Sequence, residues 1–171
     1  AMTTTRRVWA LACAGLLALP MVVSGCHGGQ AGPKVATIKP DEMPIGGEWE
    51  GVYYDQLYGN LHLKVDGDAA VGRWRRDSGE SWGELTGSVD GNVMHYEWVE
   101  HRIGMVGPSS DTRGKGYFVY RDGQVEKDPD YIEGERGMKE DELGQKWKAI
   151  KQATVVPDLD SVMPDEVEQR G

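Results

Sequence analysis

Between Gly46 and Lys151 the apolar residues recur every second position, and turn residues break the pattern at short intervals. Such a chain has few folds open to it, because a period of two places alternate side chains on opposite faces of a strand. Leu61-His62-Leu63-Lys64-Val65 alternates cleanly. Val93–His101 puts Met94, Tyr96 and Trp98 on one face and His95, Glu97 and Val99 on the other. Strands are predicted over Glu48–Tyr54, Leu61–Val65, Ala70–Arg76, Trp82–Val89, Val93–His101, Tyr117–Tyr120, Ile132–Arg136 and Gln145–Lys151. Asp66-Gly67-Asp68, Asp90-Gly91-Asn92 and Asp122-Gly123 read as turns, since glycine accepts the positive φ that tight hairpins require. No segment carries a helical period. The expectation is an all-β antiparallel meander of about eight short strands forming a small closed or nearly closed barrel over residues 46–152.

Composition supports that reading. The chain holds 24 glycines and a single phenylalanine, with six tryptophans and seven tyrosines carrying the aromatic content. Glycines inside strands let a small sheet bend and close, and a large aromatic ring fills the space they leave. Gly47-Glu48-Trp49, Val71-Gly72-Arg73-Trp74 and Gly83-Glu84-Leu85 repeat this juxtaposition.

The residues before the barrel carry an address. Arg6 and Arg7 precede an apolar run, Val8–Val23, which is followed by Ser24-Gly25-Cys26. The run is short for a membrane span, which needs about 20 apolar residues, and the small pair before a cysteine suits a peptidase cut. These motifs resemble the type II, or lipoprotein, signal family. The resemblance implies that residues 1–25 are a signal peptide and that Cys26 becomes the acylated first residue of the mature chain. It also implies a bilayer as partner and a place in the cell envelope. His27, where an aspartate would favour inner-membrane retention, points to the outer membrane by analogy with enteric lipoproteins. Cys13 leaves with the leader, so lipidation also explains a lone thiol in an oxidising compartment. Two or more acyl chains suffice for stable anchoring.

Residues 26–45 contain Gly28-Gly29, Gly32-Pro33, Pro40 and Pro44 and read as a flexible tether. After Lys151, residues 153–171 turn acidic and are expected to form a disordered or loosely docked tail. Without Arg6 and Arg7, 17 basic residues face 28 acidic ones, a net charge of about −11. A nucleic-acid partner is excluded on that ground, since phosphate binding needs a basic footprint.

A second resemblance rests on Gly47-Glu48-Trp49 at the start of the first strand and Trp147-Lys148-Ala149-Ile150-Lys151 in the last. This pairing resembles the calycin group, in whose lipocalins a Gly-x-Trp opens the barrel and a basic residue of the last strand covers the tryptophan. Gly59–Arg76 is similar in style to avidin-type hairpins, although no residue set matches a biotin pocket. The resemblance implies a barrel with Trp49 as its plug, near Trp147 and Lys148 or Lys151. Trp49, Trp74, Tyr96, Trp98, Trp147 and Lys151 are therefore candidates for a ligand wall or for a core plug.

No catalytic, metal or cofactor signature is read. His95 and Glu97 share a strand face with His101, but at ~3.3 Å per residue the two histidines stand about 20 Å apart, too far for one ion. His62 is the one further ligand such a corner invites. Asp66-Gly67-Asp68 and Asp128-Pro129-Asp130 lack the remaining ligands of a calcium loop. Ser109, Ser110 and Asp111 fall in a loop expected over Arg102–Lys115, with no nucleophile elbow around them. The function expected first is a non-enzymatic lipoprotein with a structural role or an envelope protein partner. A lipocalin-like binder of a small apolar ligand comes second, and a metal-dependent envelope hydrolase is a minor third.

Overall fold

The computed structural model describes residues 31–123 and 128–170. Eight antiparallel strands run in chain order: β1 (Gly51–Asp55), β2 (Gly59–Asp66), β3 (Ala69–Arg75), β4 (Ser81–Asp90), β5 (Val93–Arg102), β6 (Asp111–Arg121), β7 (Tyr131–Arg136) and β8 (Gln145–Lys151). Each pairs with its sequence neighbour, and β8 returns to β1 to close the barrel. The connections therefore fall at two ends. The β1–β2, β3–β4, β5–β6 and β7–β8 loops gather at one, called here the cup end. The other, the plug end, carries the start of β1, the remaining hairpins and the end of β8.

The predicted strands all form. Two of the predicted hairpins sit where read, with φ of 62° at Gly67 and 53° at Gly91. The third, at Asp122-Gly123, leads into residues 124–127, which lie outside the described residues. The loop expected over Arg102–Lys115 is shorter, because β6 begins at Asp111. Gly114 and Gly116 hid that part of the strand, being poor β-formers. They pair in register with Trp98 and Tyr96 of β5.

That pairing is the packing rule of the interior. Trp74 faces Gly83 across β3–β4, and a Cβ at Gly83 would lie 2.1 Å from the Trp74 ring. At Gly116 it would lie 2.5 Å from the Tyr96 ring. Glycine on one strand thus makes room for an aromatic ring on the next. Tyr53, Tyr58, Leu61, Leu63, Trp74, Met94, Phe118, Tyr120, Ile132 and Ala149 are completely buried. The middle of the barrel is filled by side chains, as an eight-stranded barrel is just wide enough to allow.

Two flanking segments make contacts with the barrel over their described residues. The described part of the tether has no regular secondary structure, yet it is held at two places. Lys34 accepts backbone hydrogen bonds from Glu142 and Leu143 and donates to Asp141, and Ala36 N–H donates to Glu142. Further on, Asp41 exchanges hydrogen bonds with Asn92. Residues 34–41 thus span from a cup-end loop to a plug-end hairpin. Its backbone amides find partners at both ends without joining the sheet.

The tail is docked rather than disordered over its described residues. Asp158 N–H donates to His62 Nδ1 at 2.9 Å, Arg73 meets Asp160 at 3.3 Å and Arg75 meets Glu168 at 2.7 Å. Val162 is buried between them and the outer face of β2–β3. The acidic composition that suggested disorder is what matches it to the outward arginines of β3. A 3-10 turn (Asp160–Val162) and a short helix α1 (Glu166–Arg170) end the described chain.

Candidate functional site

The plug end is closed by mutually satisfied groups. Trp49 Nε1 donates to Gly91 O at 2.9 Å, and its ring meets Tyr120 edge-on at 5.5 Å. Tyr53 Oη donates to Trp49 O at 2.7 Å. Tyr120 Oη donates to Asp130, and Lys151 Nζ donates to Glu48 O. Burial pushes the Tyr53 and Tyr120 hydroxyls well above the usual tyrosine range, and burial also lowers the Lys151 ammonium. Trp49 is therefore a plug, and Lys151 is the basic residue of the last strand beside it. Of the two basic residues expected there, Lys148 or Lys151, it is Lys151 that joins the plug, and the expectation that Trp147 would lie beside it is corrected. Trp147 packs instead against Tyr58, Trp74, Tyr96 and Phe118. Lys148, one position over on the strand, points outward across the Tyr131 ring at 4.2 Å.

The cup end is built differently. The loops there enclose a cup of about 1010 Å³, lined among others by Arg76, Trp98, Glu100, Ile103, Arg136 and Met138. Its floor is an ion cluster set among aromatic rings. Glu100 is 8 % exposed and Arg136 6 %. Glu100 accepts from Arg76 Nε at 2.6 Å, Ser81 Oγ at 2.6 Å and Arg136 Nη2 at 2.8 Å. Burial alone would raise the Glu100 carboxyl. Hydrogen bonds from Arg76 and Ser81, with the two guanidinium charges, outweigh it and hold the group below its usual range. The Arg136 guanidinium lies 3.7 Å above the Trp98 ring and 4.9 Å from that of Tyr58, with Trp74 and Trp147 at 5.4 and 5.7 Å. Cation–π attraction of this kind strengthens as water is excluded.

The cluster is not fully satisfied. Arg136 Nη1, Tyr58 Oη, Trp74 Nε1 and Trp147 Nε1 are buried without a hydrogen-bond partner. An unmade bond on a buried donor costs about 1–3 kcal/mol, more on a charged one. His101 Nε2 is also unpaired and faces Glu84 at 3.6 Å, beyond hydrogen-bond reach.

The candidate residues thus divide. Trp74, Trp98 and Trp147 surround Arg136, and Tyr96 stacks on Phe118 at 4.8 Å deeper in the interior. Trp49 and Lys151 belong to the opposite end. Cys26 lies outside the described residues. His62 and His95 do not come together: His62 lies on β2 and is bound by Asp158, while His95 on β5 pairs with Glu142 at 2.9 Å. Asp130 serves Tyr120 and Gly123 rather than a shared ion site with Asp128.

Sequence reasoning passed over Arg76, Glu100, Arg136 and Tyr58. The signal for two of them was present. Glu100 has the inward parity of Met94, Tyr96 and Trp98, and Arg136 that of Ile132 and Gly134. A charge on the apolar parity of a barrel strand marks an interior polar group. Comparison with protein-family models, with curated proteins and with solved structures finds no match to this chain.

Proposed function

We propose that this chain is a non-enzymatic, lipid-anchored envelope protein whose barrel binds a small ligand in the cup. The observation that carries the binding reading is Arg136: a charged side chain almost wholly buried at the floor of a cup, with one nitrogen unpaired. Buried polar groups left unsatisfied in a folded chain call for a partner from outside it, and a concave site with a few convergent polar groups is where small molecules bind. The cup walls add apolar surface from Ile103, Met138 and Leu143. Two of the cup's hydroxyls are engaged within the fold, which supports a binder over a hydrolase: Ser110 donates to Gly107 O, and Ser81 to Glu100.

The anchor rests on Ser24-Gly25-Cys26 after the apolar run. Cys26→Ser should abolish acyl labelling and leave uncut precursor. A processed Cys26→Ser chain that still partitions into detergent would reject the anchor. Binding is tested by calorimetric titration of the purified chain with a panel of small apolar and amphipathic molecules. Saturable, one-to-one heat lost in Arg136→Gln supports the cup, and a panel that gives no saturable binding rejects it.

A second reading, a structural or protein-interaction role, is favoured by the filled interior. Buried side chains occupy the middle of the barrel, so the cup and its loops would then meet the tip of an envelope protein partner.

A further inference from the structure

Resting on the binding reading, we infer that the ligand of the cup is a small organic acid, whose carboxylate is taken by Arg136 while its apolar body lies against the loop walls. Three observations converge. The first is the charge balance of the buried floor. Arg76 and Arg136 share one carboxylate, Glu100. The cluster therefore carries one positive charge in excess, in a place where Coulomb interactions are poorly screened.

The second is the sign of the unmet hydrogen bonds. Arg136 Nη1 can only donate, and Arg136 lines the cup, whereas Trp74, Trp147 and Tyr58, whose polar atoms are also unpaired, lie behind its lining. The other buried unpaired polar atom on the cup's lining is His101 Nε2, whose ring partner Nδ1 meets the Asp111 carboxylate at 2.9 Å. Arg136 Nη1 thus lacks an acceptor, and an acceptor that carries negative charge answers both the missing bond and the excess charge. Guanidinium and carboxylate match geometrically, and charge-assisted bonds are about twice as strong as neutral ones.

The third is the surrounding shape. The guanidinium is held flat on Trp98 at 3.7 Å, while Glu100 occupies Nη2 at 2.8 Å. Its orientation is fixed before any ligand arrives, which limits the entropy lost on binding. Ile103, Met138 and Leu143 offer an apolar path from floor to rim, and Glu80 and Asp141 line the cup as well. Those two carboxylates, with Glu100, disfavour a dianion. A monocarboxylate with a short hydrocarbon or aromatic body fits this arrangement better than a phosphate.

The test is a titration of the full chain, carried in phosphatidylcholine nanodiscs, with octanoate and benzoate against octanamide and benzamide, and with inorganic phosphate. The acids should bind at least tenfold more tightly than their amides, and phosphate should not compete. Arg136→Gln should erase the preference for acid over amide, and Arg136→Lys should restore part of it. Should either variant fail to fold, the pH profile of the unaltered chain answers the same question. Affinity for benzoate should fall as pH drops below about 4, where carboxylates of this kind take up a proton, while affinity for benzamide stays level. Acids and amides binding alike would overturn the inference and leave the binding reading standing. Tighter binding of phosphate than of either acid would overturn the carboxylate assignment. No saturable binding by any probe would overturn both.

Discussion

The two ends of the barrel solve the same problem in opposite ways. Both bury tyrosine, tryptophan and a basic side chain. At the plug end the indole of Trp49 and the hydroxyls of Tyr53 and Tyr120 reach acceptors, and Lys151 reaches a carbonyl. At the cup end Trp74, Trp147, Tyr58 and one nitrogen of Arg136 reach none. The fold is thus able to satisfy buried aromatic donors and does so at the plug end. Among the described residues the deficit is confined to the end that holds the cup.

The largest effect that would break this comparison is at the plug. Trp49→Ala should destabilise the barrel by about 3–5 kcal/mol, the range for large aromatic truncations in cores, read as a lower denaturation midpoint. Trp49→Phe should be milder. A Trp49→Ala chain of unchanged stability would mean that the plug end is not the stable one. Next comes Gly83→Ala at the cup end. The added methyl meets Trp74 at 2.1 Å, so the ring must move, at a cost of about 1–3 kcal/mol. Loss of near-ultraviolet dichroism should accompany it.

Smaller still is Arg136→Met. Removing one partner of a buried ion pair costs about 3–5 kcal/mol when the other charge is stranded, but Glu100 keeps Arg76 and Ser81 as partners, so the loss should fall well below that. A stability change within about 1.5 kcal/mol, with binding lost, would set the cup apart from the plug as a site kept for function. A loss as large as that of Trp49→Ala would merge the two ends into one structural core. The smallest effect is on the tail. Burial lowers the His62 pKa despite the nearby Asp158 carboxylate. The docked form therefore takes a proton less readily than the detached one. Docking is at full strength above the ordinary histidine pKa of about 6.5 and weakens as pH falls through and below it. The Arg75–Glu168 pair persists over that window, because their mutual hydrogen bond holds Arg75 above and Glu168 below its usual range. Limited proteolysis after residue 153 should speed up between pH 7 and 5, while cleavage of the barrel does not.

The barrel itself was legible in the sequence because its evidence is local. Alternation in Leu61–Val65 and Val93–His101, and Asp-Gly at the hairpins, each report on a few neighbouring residues. The site was less legible because it is assembled from four loops and strands far apart in the chain. Arg136 is meaningful only beside Trp98 and Glu100, and no local pattern brings these together. Trp147 was placed with Trp49 on a resemblance, whereas the stagger of the strands carries it to the other end. The tail was misjudged because its charge suggests disorder until the arginines of β3 are seen to face it.

One further consequence lies in how the barrel closes. Every pairing but one joins strands adjacent in sequence, and the exception, β1 with β8, is short: Tyr53 opposite Lys151 and Tyr54 opposite Ile150, extended by the bond from Gln152 N to Val52 O. In time rather than in space, this makes closure the late event. Hairpins form within about 1–10 μs, but bringing β8 back to β1 closes a loop of almost a hundred residues, and that entropy is lost before the few seam bonds reward it. The same seam should be the first to part. Amide exchange at Tyr53, Tyr54 and Gln152 should then run ahead of exchange in β4 and β5, and a permuted chain joining Gln152 to Gly47, with new termini in the β4–β5 hairpin, should fold by a different order to the same barrel.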